Sequence, residues 1–316
     1  MQQIILVLSA VILGLAFGHL TGGFAFSSAV CLVAGVFLVT PSLFKFRLAD
    51  LSLISAQMPA IGRNLWINYL LLVVAALVIG WLSRDIGIAG ALLLLALLPG
   101  GGMVMMWIKT SGANVRLGFI IFMLNLGLLL PVTLIFGAYY GLAEGWFPAP
   151  VLPEASVASG RQIMPFAPFM ILIVIPFLIS RTVLAFLPSV VAFSERHQPL
   201  ISKATMFGIV FYLFSLTTSQ MLFAVAPADL LVALIATAAF YLVAVLAAEW
   251  LTPATPEGRA VYWHVATRYI TLALILAVFS LDTYGATFIL PVMIAYFIQI
   301  GAAGWLRTRM LAAQAA

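Results

Sequence analysis

The chain alternates long apolar runs with short breaks that are polar or rich in Gly and Pro. A helix needs about 20 largely apolar residues to cross the hydrocarbon core of a bilayer. Runs of suitable length predict spans at 4–20, 24–43, 65–83, 87–109 and 116–140, and again at 163–187, 203–225, 228–250, 259–281 and 284–306. The longest polar interruption, Gly141 to Gly160, contains three prolines and divides these runs five and five. The expected fold is therefore an all-α integral membrane protein of ten transmembrane helices. Residues 1–140 would form a first five-helix repeat, 141–160 an extracytoplasmic linker, and 161–316 a second repeat. Five is an odd number, so two such repeats must be inverted relative to each other, although no clear internal sequence identity accompanies the split. Inverted repeats place a solute site near the bilayer midplane, where interrupted helices meet.

Composition agrees with lipid as the main solvent. The 316 residues are 65% apolar and 7% charged, with a mean hydropathy of +1.22, against about 25% charged residues in soluble domains. The net charge of +5 comes from bases scattered singly between apolar runs. They form no basic face and accompany no nucleic-acid motif, so no nucleic-acid partner is expected. The single cysteine, Cys31, excludes an intrachain disulfide and a multi-cysteine metal site. It reads as a small buried hydrophobe. The first run, Ile4 to Leu20, follows no Lys or Arg, whereas a cleavable signal peptide has a basic leading region. It is expected to be a retained helix.

Charge gives the orientation. With ten spans, eleven of the basic residues fall on the side of the termini, among them Lys45, Arg63, Lys109, Arg181, Arg259 and Arg309. The opposite side receives only Arg84 and Arg161. The positive-inside rule then places both termini in the cytoplasm of a cell whose inner (plasma) membrane holds the chain.

Polar groups in the middle of spans mark the candidate chemistry, because they are costly there. In the fourth run, Pro99, Gly100, Gly101, Gly102 and Met103 follow an unbroken apolar stretch. Pro removes a helix hydrogen bond and Gly adds backbone freedom. At the helical rise this break lies roughly 18 Å from the start of the run, close to mid-membrane. It reads either as a functional interruption that frees N–H groups for substrate or as a packing kink. The ninth run has no Pro or Gly after Gly258 and is expected to be continuous. It carries Arg268, roughly 13 Å beyond Arg259, with His264, Thr267 and Thr271 one turn away on a shared face. Arg268 either holds an anionic substrate through paired N–H donors, serves as a fixed positive charge in place of a bound cation, or snorkels to the interface. Asn68, Asn125, Gln220 and Gln299 are the other mid-span polar candidates. Each reads as a solute contact or an interhelical hydrogen bond. Acidic residues are absent from every span centre, which counts against a buried carboxylate that binds sodium. No metal and no cofactor are expected.

The stretch from Pro99 to Pro131 (PGGGMVMMWIKTSGANVRLGFIIFMLNLGLLLP) resembles the fourth-to-fifth span region of the bile acid:sodium symporter superfamily. The Pro99-Gly100-Gly101 start and the spacing to Asn114 are similar to its symporters. Met103-Val104-x-x-Trp107 and Asn125 are more similar to its arsenite-efflux permease branch. Gly35–Leu43 (GVFLVTPSL), Asn64–Leu72 (NLWINYLLL) and Ile175–Arg181 (IPFLISR) resemble the same branch. Thr267–Leu274 (TRYITLAL) is similar to a phrase of bacterial members without an assigned role. The resemblance implies ten helices in a panel and a core sub-bundle, discontinuous helices that cross at spans 4 and 9, and alternating access.

The chain also departs from that pattern. Gly100 stands where the arsenite branch has a cysteine, and Thr267 to Thr271 supply no acidic residue where relatives carry one. Trivalent arsenic prefers thiolate. The symporters' Ser-Asn pair aligns with Val104 and Met105, which offer no side-chain oxygen. The expectation is a secondary transporter of a small organic anion that does not use the family's sodium sites, driven by protons as a candidate coupling ion or running as a uniporter. Efflux of arsenite or a related metalloid oxyanion is the alternative. An enzyme is not expected, since no intramembrane aspartate pair or HExxH motif occurs. A sensor that reuses a transporter fold is a further reading.

Overall fold

The computed structural model describes residues 2–25, 53–101, 103–148, 174–223 and 225–315, with isolated positions at 27, 29, 30, 33, 37, 40, 44 and 170. Cys31, Gly102, most of the run 24–43, the linker beyond residue 148 and the start of the run 163–187 lie outside the described residues. Every regular element among the described residues is a helix. In chain order they form α1 (Gln2–Thr21), α2 (Met58–Trp66), α3 (Leu72–Ser83), α4 (Ile86–Leu97), α5 (Val104–Thr110), α6 (Val115–Gly127) and α7 (Leu129–Ala143). There follow α8 (Ile175–Phe186), α9 (Pro188–Phe214), α10 (Pro227–Leu251), α11 (Pro256–Ala266), α12 (Ile270–Tyr284) and α13 (Ile289–Ala315).

Among the described residues three helical stretches are long and apolar enough to cross a membrane: Met58–Ser83, Pro227–Leu251 and Ala286–Met310. Two bent pairs raise the number to as many as five. One is α6 with α7 and Trp146, bent by 46°, and the other is α8 with the start of α9, bent by 114°. Pro131 accounts for the first bend, because its ring opposes the carbonyl of Gly127 one turn back and the chain turns at Leu128. At the second, Pro188 forces Leu187 out of the helical region, to φ −131° and ψ 59°.

The chain forms two compact units. The first comprises Met1–Leu48 and Ile163–Ala224. In it α1 packs along α9, with Gly14 so close that an added Cβ would lie 2.7 Å from the Phe211 carbonyl oxygen. The helix expected over 203–225 ends at Phe214 instead, followed by a 3₁₀ turn, Thr217–Phe223. Its polar run explains the stop. Ser215 Oγ donates to the Phe211 carbonyl at 2.6 Å and Ser219 Oγ to that of Leu213 at 2.5 Å, so side chains compete for the helix's own acceptors. The extended backbone of Phe24 then bridges the gap, donating to Ser215 O at 2.9 Å and accepting from Thr217 N at 3.0 Å.

The second unit comprises Ala49–Gln162 and Val225–Ala316. Its centre is α4, every residue of which is buried. A helix apolar all round has no wettable face and must be enclosed. Here α3, α7, α12 and α13 surround it. Asp85 caps its first turn, accepting from Ile88 N at 2.8 Å and from Thr287 Oγ1 at 2.7 Å. Between α2 and α3 the helix widens into a π turn, Ile67–Leu71, without breaking. The runs expected at 87–109 and 259–281 are both interrupted, at Leu98–Met103 and at Thr267–Tyr269. The second interruption corrects the continuous helix expected from the residues alone and fits the discontinuity that the resemblance implied at the ninth span.

Candidate functional site

The two interruptions meet. Pro99 has no N–H to offer, α4 stops at Leu97, and Gly100 adopts φ +67°, a left-handed conformation suited to glycine. The freed backbone groups find partners on the other broken helix. Gly100 N donates to Thr267 O at 2.9 Å and Tyr269 N donates to Leu98 O at 2.8 Å, pairing Pro99 with Arg268 as a short antiparallel bridge. Gly101 lies against the same segment, where an added Cβ would sit 3.0 Å from Tyr269 Cα. This pairing explains why a helix without Pro or Gly breaks. The extended residues exchange intrahelical bonds for equivalent ones across the crossing.

Two helices, α4 and α11, end at this point, and helix C-termini expose carbonyl oxygens with partial negative charge. Arg268 answers both. Its side chain is buried, with 1% exposure. Nη1 donates to Ala96 O at 3.4 Å, and Nη2 donates to His264 O at 3.4 Å and to Val265 O. No carboxylate pairs with it among the described residues, and Nε has no hydrogen-bond partner there. The snorkelling alternative therefore does not hold, since the group is enclosed by protein. Gln299 fixes the Arg268 backbone, accepting from its N–H at 2.5 Å and donating to its carbonyl at 3.1 Å. Tyr241 OH donates to the same Gln299 oxygen at 2.9 Å.

His264 is fully buried and pairs through Nε2 with Gly118 O at 2.9 Å, while Nδ1 has no partner among the described residues. That nitrogen occupies the place a Cβ on Gly100 would take. Thr267 Oγ1 donates to Trp263 O at 2.6 Å, and Thr271 Oγ1 shares a hydrogen bond with Tyr296 OH at 2.6 Å. Asn125 donates to Pro99 O at 3.4 Å and accepts from Tyr69 OH at 3.3 Å. Met103 begins α5, half-buried. Below the break, α5 and α11 are joined by stacked Trp107 and Trp263, 5.6 Å apart, and by the Trp263 Nε1 bond to Ser111 Oγ at 2.7 Å.

The structure thus brings Pro99, Gly100, Gly101, Asn125, His264, Thr267, Arg268, Thr271 and Gln299 into one neighbourhood of the second unit. Asn68 is buried in the π turn of the same unit, but its Nδ2 bonds Asn64 at 2.9 Å and its Oδ1 has no partner. Gln220 belongs to the first unit, where its Nε2 caps Phe214 O at 3.0 Å. Gly102 lies outside the described residues. Tyr69, Tyr241, Tyr296 and the Gly118 carbonyl complete the polar cluster, and a count of apolar residues hides all of them.

A cavity of about 10 Å³ lies beside the break, lined by Leu98, Pro99, Phe122, Asn125, Tyr269 and Leu272 among others. That is room for about one water. Among the described residues no group of three or more His, Cys, Asp or Glu side chains is placed to hold a metal. At the far end of α11, Asn114 Nδ2 donates to Glu257 Oε1 at 3.0 Å, and this bond is the main cause holding the Glu257 carboxyl below its ordinary range. Compared with known proteins, the chain matches no family model and no curated sequence.

Proposed function

We propose that this chain is a ten-span secondary transporter, built of two inverted repeats, that moves a small organic anion by alternating access without sodium. The observation that carries the reading is the buried Arg268 guanidinium, bonded to the C-terminal carbonyls of two interrupted helices with no carboxylate beside it. Convergent carbonyls at broken helix ends attract a cation. A tethered guanidinium fills that role permanently, so a free coupling cation has no vacancy to occupy. Of the two functional roles open to Arg268, a fixed positive charge fits better than a direct substrate ligand, because its outer nitrogens are already engaged. The charge still favours an anion nearby, since interactions at this depth are weakly screened.

Asn125, Thr271 and the Pro99–Gly102 segment are the groups left to meet the solute. The cavity of about 10 Å³ at the break has room for about one water, so in this reading a solute enters only when the site opens to one side. Protons are the candidate coupling ion of this reading, with uniport as the alternative. The metalloid alternative gains nothing from the geometry: position 100 has no thiol, and His264 stands where one would project.

Uptake of labelled carboxylates into proteoliposomes tests the proposal, with internal and external Na⁺ replaced by K⁺. Flux that persists in K⁺ and disappears in Arg268→Gln supports it. Flux that requires Na⁺, or no flux of any anion, overturns it.

A further inference from the structure

The second unit contains a larger cavity that the transport reading does not use. It measures about 260 Å³ and lies where α10 and α13 end and α11 begins. Arg259 of α11 and Arg309 of α13 line it, with Glu249 and Thr252 from the end of α10 and the apolar side chains of Leu306 and Met310. Two guanidinium groups face one carboxylate. Glu249 accepts from Tyr262 OH at 3.0 Å and from Arg309 Nη1 at 3.4 Å, and among the described residues Arg259 reaches only Ser111 O, at 3.5 Å. The pocket therefore retains guanidinium N–H donors that carry no short bond. Arg309 keeps 60% of its side chain exposed.

The surroundings set the depth of this cavity. Trp250, 77% exposed, and Trp305, 61% exposed, stand at the ends of Pro227–Leu251 and Ala286–Met310, two of the three helices of membrane-crossing length. Arg309 lies over the Trp305 ring at 5.8 Å. Exposed tryptophans at helix ends sit at the boundary between acyl chains and headgroups. A half-polar pocket with two arginines at that level matches a phosphate carried on a lipid, because a guanidinium fork pairs two phosphate oxygens at once. The apolar part of the lining suits the glycerol and first acyl carbons. Basic residues assign this end to the cytoplasmic leaflet, where anionic lipids collect.

We propose that the cavity bounded by Arg259, Arg309 and Glu249 is a binding site for the phosphate of an anionic phospholipid. The site is separate from the helix crossing, and it rests on the membrane reading of these helices but not on any transported solute. The lipid's phosphate bonds Arg259 and draws Arg309 away from Glu249.

Thermal unfolding of the detergent-purified protein tests this, with phosphatidylglycerol, phosphatidylcholine or free glycerol phosphate added. Phosphatidylglycerol should raise the midpoint, while phosphatidylcholine and free glycerol phosphate should not. Arg259→Gln and Arg309→Gln should each weaken the phosphatidylglycerol response about fivefold in half-saturating lipid. Glu249→Gln keeps an acceptor for Tyr262 and removes the competing carboxylate, so it should strengthen the response about fivefold. Equal stabilisation by phosphatidylcholine overturns the proposal. So does an unchanged response in Glu249→Gln, a variant that remains informative if the arginine variants fail to fold. Stabilisation by free glycerol phosphate equal to that by the lipid overturns the lipid assignment.

Discussion

Gln299 holds the backbone of Arg268 from both sides, its amide oxygen 2.5 Å from the Arg268 nitrogen and its amide nitrogen 3.1 Å from the Arg268 oxygen. A primary amide is the one side-chain group that supplies a donor and an acceptor in that fixed arrangement. The result resembles one rung of a sheet laid across a helix break. It orients the guanidinium toward the carbonyls of Ala96, His264 and Val265.

Replacing Gln299 by Leu should therefore leave a buried N–H and a buried carbonyl unpaired. The cost is about 1–3 kcal/mol, read as a lowered unfolding midpoint in detergent. Glu at the same position keeps the acceptor but loses the donor, and should fall between Leu and the native residue. Stability equal to the native protein in Gln299→Leu would remove the bracket from the argument.

Gly100→Ala should destabilise the protein by about 2–4 kcal/mol, from left-handed strain and from the His264 ring it meets. His264→Ala clears the space, so the double variant should recover the steric part and keep the strain. A double-mutant cycle on unfolding free energies checks this, and purely additive costs would show that the two residues do not press on each other.

Arg268→Met leaves the carbonyl ends of α4 and α11 without their cation. It should abolish anion flux and destabilise the protein by about 1–3 kcal/mol, the usual cost of leaving buried acceptors without a donor. Arg268→Ala also opens space among those oxygens, so this variant should gain a thermal stabilisation by Na⁺ over choline that the native protein lacks. Lys is a point donor and should restore only part of the stability. Titration of each variant with NaCl and choline chloride distinguishes these outcomes.

Glu257 gives a pH dependence. Its folded value is lowered, first by the Asn114 side chain and then by its own backbone N–H. A lowered folded value means a contribution present in full above the ordinary 4.5 and lost as pH falls through the folded value. Unfolding midpoints measured downward from pH 6 should drop below that range, and Glu257→Gln should flatten this part of the profile. The same slope in both proteins would assign the loss to other carboxylates.

The break at Pro99 was legible because Pro and a glycine at φ +67° leave a local mark. The break at Thr267–Tyr269 was not, because its cause is remote: Leu98, Gly100 and Gln299 supply the bonds that a helix would otherwise make. Arg268 was conspicuous as a lone mid-span charge, yet its bonds to carbonyls cannot be read from spacing. Asn125 does lie against Pro99. Gln220 looked equivalent along the chain but serves Phe214 in the other unit. The tyrosines at 69, 241 and 296 escaped notice because their rings count as apolar while their hydroxyls bind. Helix lengths suffered similarly. Interruptions at Phe214 and Leu98 come from side chains and pairings that hydropathy does not register.

The enclosed helix Ile86–Leu97 has a consequence for assembly. At 12 residues it extends about 18 Å, well short of the hydrocarbon thickness. Its capping aspartate is tied to Thr287, and α13, one of its walls, lies far downstream in the sequence. During synthesis this segment emerges long before the partners that shelter it. Its final seat is thus reached only after α13 arrives, and truncations that remove α13 should leave the early part of the chain inserted but unlocked.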